Sequence, residues 1–395
     1  MKKSLLVLLI LFPMIINAQI KNGDKVSDLY FSTLLNAPQN STSLSKLKGK
    51  IVIIEFWATW CGSCIVAMPH LKTLQTRFQR DLQIIAVTDE SEKRVKQFIT
   101  TKPANFWFAS DASATIATQF PHQLIPHAIL IGPDGKLIAA TDPEAVTEKV
   151  IDSLIRGLKV HLPEKRDNLI SHEDLIKQNF FANDTIRSRF LMQGEIKGGP
   201  GLSDNWLTDS IFNRRRLTCI NLPLSTLYAI AYGNFPYSRM VNTTKAKGAP
   251  VYCLDIITNT AEELLPALKK ELASRFDLQA KIELQKKEVQ VLKIVDQNKF
   301  NRLTKTKAGK RTYFARHGAI DQQAINMADF ARFLESYGIN KLVEDETGNT
   351  EKFDIKFSFQ PENPQSLLDI LASMGLGLSK QERLLDVLYI YEQAR

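Results

Sequence analysis

The run Trp57-Ala58-Thr59-Trp60-Cys61-Gly62-Ser63-Cys64 constrains this chain more than any other stretch. It follows an apolar strand pattern, Ile51 to Phe56, and opens an apolar-periodic helix. Two residues between the cysteines at a helix start let both sulfurs reach disulfide distance, and the helix N-terminus favours a thiolate on the first of them. Cys61 is therefore the candidate nucleophile and Cys64 its resolving partner. A purely structural disulfide or half of a zinc site are the alternatives. No second Cys-x-x-Cys or Cys/His pair completes four ligands, so neither a metal nor another cofactor is expected.

Lys2 and Lys3 precede an apolar stretch from Leu5 to Ile16, and Ile16-Asn17-Ala18 precedes Gln19, the pattern of a secretory signal over residues 1–18 cut after Ala18. The stretch is about 12 residues, short of the ~20 that a membrane-spanning helix needs. An exported, periplasmic protein is the expectation, in a compartment that forms or manages disulfides. The rest exceeds what one hydrophobic core usually organises, so two domains are expected. The net charge of +9 is spread along the chain rather than blocked; together with export this argues against nucleic acid as a partner.

Residues 19–159 alternate strand and helix patterns, as in an α/β sandwich around a mixed central sheet flanked by helices. Strands are expected at Ile51 to Phe56, Leu82 to Thr88, Phe106 to Ala109, Ala128 to Ile131 and Leu137 to Ala140. Helices are expected at Ser63 to Gln79, Glu92 to Thr100, Ala112 to Gln119 and Glu144 to Leu158. Pro133-Asp134-Gly135 marks a tight turn that makes the last two strands antiparallel. Glu55 is the only charge in Ile51 to Trp57; burial would raise its pKa and suit it to exchange a proton with the Cys64 thiol, whereas a strand-end glutamate would reach solvent.

This segment resembles the thioredoxin superfamily, and most closely its exported TlpA/ResA-like thiol-disulfide oxidoreductases. The likeness rests on Phe56-Trp57-Ala58, Trp60-Cys61-Gly62-Ser63-Cys64, Met68-Pro69, Ile125-Pro126 and Ile131-Gly132-Pro133-Asp134-Gly135-Lys136. It implies a cis Pro126 facing the disulfide, where the plain reading is a strand-start proline. Trp60, Gly62, Ser63, Ile125 and His127 would then border the groove for a client. It supports a buried acid at Glu55, six residues before Cys61. Ala67 stands where many ResA-like chains have glutamate, which shifts proton handling toward Glu55. Gly62-Ser63 replaces the Gly-Pro of typical thioredoxins and alters redox poise in a direction the sequence does not give. His70 is expected at the surface.

Residues 160–183 read as a charged connector. Residues 184–395 read as an α+β domain of repeated αββ units: Leu222 to Tyr232, Met240 and Val251 to Ile257; Glu262 to Phe276, Leu278 to Leu284 and Val289 to Val295; Met327 to Tyr337, Lys341 to Glu344 and Lys352 to Phe359; Gln365 to Met374, Leu378 to Gln381 and Leu384 to Tyr391. Leu224-Ser225-Thr226-Leu227-Tyr228-Ala229-Ile230-Ala231-Tyr232-Gly233, Asp345-Glu346-Thr347-Gly348 and Val387-Leu388-Tyr389-Ile390 resemble an uncharacterised domain of soil-associated bacterial proteins, which carries no activity to transfer. Gly198 to Gly201 lacks the Lys-Ser/Thr of a phosphate loop and reads as an ordinary loop. Lys286-Lys287, Lys299 to Arg311 and Arg214 to Arg216 read as solvated. Cys219 and Cys253 are expected as buried thiols, with a mutual disulfide as the alternative.

The sequence points to a protein-disulfide reductase whose partners are disulfide-bearing client proteins and an upstream electron-donor thiol protein, with envelope or partner contact through the C-terminal domain. A redox-sensing or interaction protein is the alternative from another class. An oxidase or isomerase ranks lower, and so does a peroxidase, since the chain lacks the Pro-x-x-x-Thr-x-x-Cys arrangement of peroxiredoxins.

Overall fold

Strand Ile51–Phe56 is buried at every residue, on both faces, and the N-terminal domain is built outward from it. The computed structural model describes residues 20–206, 209–243, 250–307, 309 and 311–392. The signal expected over residues 1–18 lies outside them.

The strand lies parallel to Leu82–Thr88 on one side and antiparallel to His127–Ile131 on the other. Trp107–Ser110 and Leu34–Leu35 extend the sheet past Leu82–Thr88, and Leu137–Thr141 closes the opposite edge. Ile51 and Ile53 face a core completed by helices Gly62–Arg77, Glu92–Thr101 and Glu148–Ile155. Val52, Ile54 and Phe56 face a second core under the N-terminal segment that carries Val26, Leu29 and Phe31. Alternation sorts the side chains, and burial of both faces explains why the strands read as unbroken apolar runs.

Two helices differ from expectation. Ala112 to Gln119 holds only a short turn at Ala117–Gln119, because the Asp111 carboxylate accepts the amides of Thr115, Ile116 and Ala117 and so takes donors a helix would have used. The last helix begins at Glu148 rather than Glu144, where the Thr147 hydroxyl caps the Val150 amide.

Residues 160–183 do more than connect. Ser171 caps a helix, His172–Phe180, whose Leu175, Ile176 and Phe180 join Ile220 and Cys253 in a C-terminal core. Beyond it the described residues form three sheets with interspersed helices rather than four equivalent αββ units. The two strands expected within 278–295 are one, Leu278–Ile294, and those within 378–391 are one, Leu376–Glu392. They pair antiparallel along their whole length. The polar stretch Gln285 to Glu288 stays in the ladder because it meets polar partners across it, with Lys286–Glu382 at 2.5 Å and Lys380–Glu288 at 2.6 Å.

Arg216 is not solvated. It is 2% exposed and donates to Asp255, which also accepts from Arg189 and from the Thr218 hydroxyl at 2.7 Å. Cys219 and Cys253 are free and buried. Cys219 pairs in register with Leu254, so the neighbouring Cys253 faces the other side of the sheet and the two thiols lie in separate cores.

Arg94 joins the domains. Its guanidinium holds the Glu362 carboxylate through both oxygens, with Nη2 to Oε2 at 2.7 Å, and the Glu362 side chain is 2% exposed.

Replacing Asp255 with Asn removes the charge that pairs the buried Arg216 and the partly exposed Arg189 and should cost about 3–5 kcal/mol. Denaturant unfolding of the full chain, followed on C-terminal tryptophan Trp206, checks it.

Candidate active site

Cys61 caps the first turn of helix Gly62–Arg77, and the Cys64 amide donates to its Sγ at 3.1 Å. The two sulfurs form a disulfide with the Cα atoms 5.3 Å apart. Ser63 places its hydroxyl 3.4 Å from Cys61 Sγ. Cys61 is 6% exposed and Cys64 2%, so the outer sulfur is the more accessible one. A thiolate on Cys61 would receive the Cys64 amide and the positive end of the helix, whereas Cys64 has no such help.

Trp57 and Met68 bury the pair from behind, and Trp60, Ile65 and Ile125 pack against the same cluster. The Ile125–Pro126 peptide is cis. His127, the next residue, pairs in register with Phe56, so Pro126 lies at the end of the sheet from which the cysteine loop departs.

Glu55 pairs with Ala86 and Ala128, both members of the core that holds the cysteines, so its side chain shares their face of the sheet. It is 2% exposed, and neither carboxylate oxygen has a hydrogen-bond partner among the described residues. Burial raises its pKa well above the ordinary value, with the Lys165 ammonium pulling the other way. A carboxyl so placed binds a proton more readily than a solvated one does and can exchange it with a neighbouring group.

His127 faces the other side, against Phe56 and stacked on His122 with ring centroids 5.0 Å apart. Burial, with His122 and Lys165 adding to it, pushes its pKa down to about 4, so it is neutral at physiological pH. The sheet separates it from the cysteines. His70, also away from the disulfide, contacts the Val146 carbonyl at 2.9 Å.

Sequence reasoning missed a strap laid across the Pro126 loop by residues 162–168. Leu162 packs against the redox core, and Pro163 accepts from the Thr141 hydroxyl at 2.6 Å. Lys165 donates from Nζ to the carbonyls of Leu124 and Pro126, and Asp167 accepts the amides of Gln123 and Leu124 at 2.7 and 2.6 Å. Asn168 then donates to Gly198, whose positive φ and contact with the Arg166 carbonyl leave no room for a Cβ. The Gly198 to Gly201 loop receives the strap.

A thioredoxin-like redox domain is what this sheet, helix and cysteine pair define. The AhpC/TSA family matches residues 23–140, and a protein family of unknown function, DUF3738, matches residues 243–392. The chain therefore carries a thioredoxin-like N-terminal domain of the AhpC/TSA group fused to an uncharacterised DUF3738 domain. The thiol-disulfide oxidoreductase ResA of Bacillus cereus is 33% identical over 109 residues, 27% of this chain and 63% of ResA. The thioredoxin-like protein YneN of Bacillus subtilis is 35% identical over 91 residues, 22% of this chain and 52% of YneN. The chain thus spans less than two thirds of the length of each. Among solved structures, the thioredoxin domain of a thiol-disulfide oxidoreductase from Bacteroides vulgatus aligns at 23% identity with a TM-score of 0.30, over 35% of this chain and 99% of that one.

Unfolded Glu55 titrates near 4.5 and folded Glu55 well above it, so its contribution to stability is fully present below 4.5 and is lost as pH rises through the folded value. Glu55→Gln should therefore be more stable than the parent at pH 8, with the gap narrowing toward pH 5, in paired denaturant titrations. Lys165→Met removes the opposing cation and should raise the Glu55 pKa further, read by 13C NMR of the carboxyl.

Proposed function

We propose that the protein is an exported protein-disulfide reductase that works by dithiol-disulfide exchange at Cys61 and Cys64. The observation that carries this reading is the Cys64 amide directed at Cys61 Sγ in the first turn of the helix, on the same face of the sheet as a buried, unpaired Glu55. Lys2, Lys3 and the apolar run before Ala18 support export to the periplasm or beyond.

In the reduced protein the Cys61 thiolate attacks one sulfur of a client disulfide. The client's other sulfur leaves as a thiolate and takes a proton, and Cys61 is left in a mixed disulfide beside Pro126. Glu55, as carboxylate, takes the Cys64 proton, and the resulting thiolate attacks Cys61 Sγ and expels the second client thiolate. Two electrons have passed to the client, and the Cys61–Cys64 disulfide remains. An upstream dithiol protein then returns the pair to its reduced form by the same exchange in reverse. Trp60, Gly62, Ser63 and Ile125 border the site of attack, and the ResA and YneN likenesses support thiol chemistry of this kind.

A redox-responsive binding protein is the second reading, favoured by the contact of Arg316 with Trp60, 5.3 Å from guanidinium to ring centre, which ties the C-terminal domain to the redox loop. Turnover separates the two, since a sensor reacts once and a reductase cycles.

Cys64→Ser should accumulate client proteins as mixed disulfides through Cys61, and Cys61→Ser should accumulate none, scored on non-reducing gels of exported extracts. Equilibration with glutathione should place the Cys61–Cys64 couple near or below about −250 mV; a value above roughly −180 mV would reverse the direction of electron flow.

A further inference from the structure

A cleft of about 680 Å³ opens directly beside the redox loop, between the two domains. Trp60, Gly62 and Ile65 form its redox wall, while Phe359, Leu367 and Leu368 of the C-terminal domain form the wall opposite. Its volume falls in the range of sites that hold a ligand or a short chain segment.

The walls are fixed to each other. Arg94 Nε donates to the Thr59 hydroxyl at 3.1 Å while the same guanidinium grips Glu362, and Thr59 is itself held by Glu90 through its amide and hydroxyl at 2.6 and 2.8 Å. The loop that ends in Cys61 is thus wired to the C-terminal segment that carries Phe359 and Glu362.

The charge of the cleft is one-sided. Glu362 is its only acidic lining residue among the described residues, and its side chain is both buried and neutralised by Arg94. Lys102 and Lys341 stand exposed at the rim, and neither has an ion-pair partner among the described residues. Arg316 lies outside the lining and sets its guanidinium over the Trp60 ring. Trp60, Ile65, Phe359, Leu367 and Leu368 form an apolar stretch of the lining, beside polar Gln290, Asn340 and Gln360, and Leu368 is 39% exposed.

We propose that this cleft holds the part of the client that flanks its reactive cysteine, and that the segment it selects is apolar with an acidic side chain. The inference rests on the disulfide-exchange reading and extends it, for it makes the C-terminal domain one wall of the client site. The apolar residues enter between Ile65 and Leu368, and the carboxylate meets Lys102 and Lys341 at the rim.

The test uses the full-length protein with three disulfides: hydroxyethyl disulfide, a peptide disulfide with Leu and Asp beside each cysteine, and the same peptide with Lys for Asp. The parent protein should reduce the acidic peptide with kcat/KM about fivefold above the basic one, the size expected of two exposed charge contacts. The ratio should invert in Lys102→Glu combined with Lys341→Glu. Leu368→Asp should lower the acidic-to-basic ratio as well, by setting a carboxylate against the acidic segment. Each ratio is internal to one protein sample, so a change in folded fraction cancels. An unchanged ratio in these variants, or no preference in the parent, overturns the cleft while turnover of hydroxyethyl disulfide still upholds the exchange reading. Failure of the parent to reduce even hydroxyethyl disulfide would overturn both.

Discussion

Burial of strand Ile51–Phe56 on both faces is the constraint from which the rest follows. A strand in that position must pair on both edges, and its neighbours Leu82–Thr88 and His127–Ile131 are set in register against it. Pairing at its C-terminal end brings three sequence-distant features to one rim of the sheet: the loop to Cys61, the Ile125–Pro126 peptide and the start of His127–Ile131. It also forces the one charged residue of the strand, Glu55, into the apolar core. The raised pKa of that carboxyl is thus a consequence of where the strand must lie.

Lys165 unites features that looked separate. One ammonium, itself largely buried, donates to two carbonyls of the Pro126 loop and acts on two titratable groups on opposite faces of the sheet. It favours the charged form of Glu55 and the neutral form of His127. Asp167, two residues on, fixes the amides of the same loop. The geometry of the redox rim is therefore partly supplied by residues outside the sheet.

The redox sheet was legible in sequence because its strands are continuous apolar runs punctuated by turn residues, and the cysteine motif marked its own helix start. What escaped reading has a common origin in partners distant along the chain. Gln285 to Glu288 fell between two expected strands because the residues that keep it extended, such as Glu382, lie far downstream. Arg216 looked solvated because nothing beside it announces Asp255. The loss of the Ala112 to Gln119 helix is the local exception, since Asp111 offered the following amides an alternative to helical bonding. Glu55 was legible for the opposite reason, as a single charge surrounded by apolar neighbours needs no distant partner to stand out. Lys165, whose charge acts on it, was not, lying in a stretch whose composition suggested only a linker.

The strap also changes what counts as a module here. A boundary drawn after the last helix of the sheet domain, near Lys159, would look natural by secondary structure. It would nevertheless sever Lys165 and Asp167 from the loop they hold and take Leu162 out of the core. The transferable unit is longer than the fold it contains, and it ends where Asn168 meets Gly198 of the neighbouring domain. Shuffling such a chain at its visible seam would yield a redox sheet with its rim unbraced.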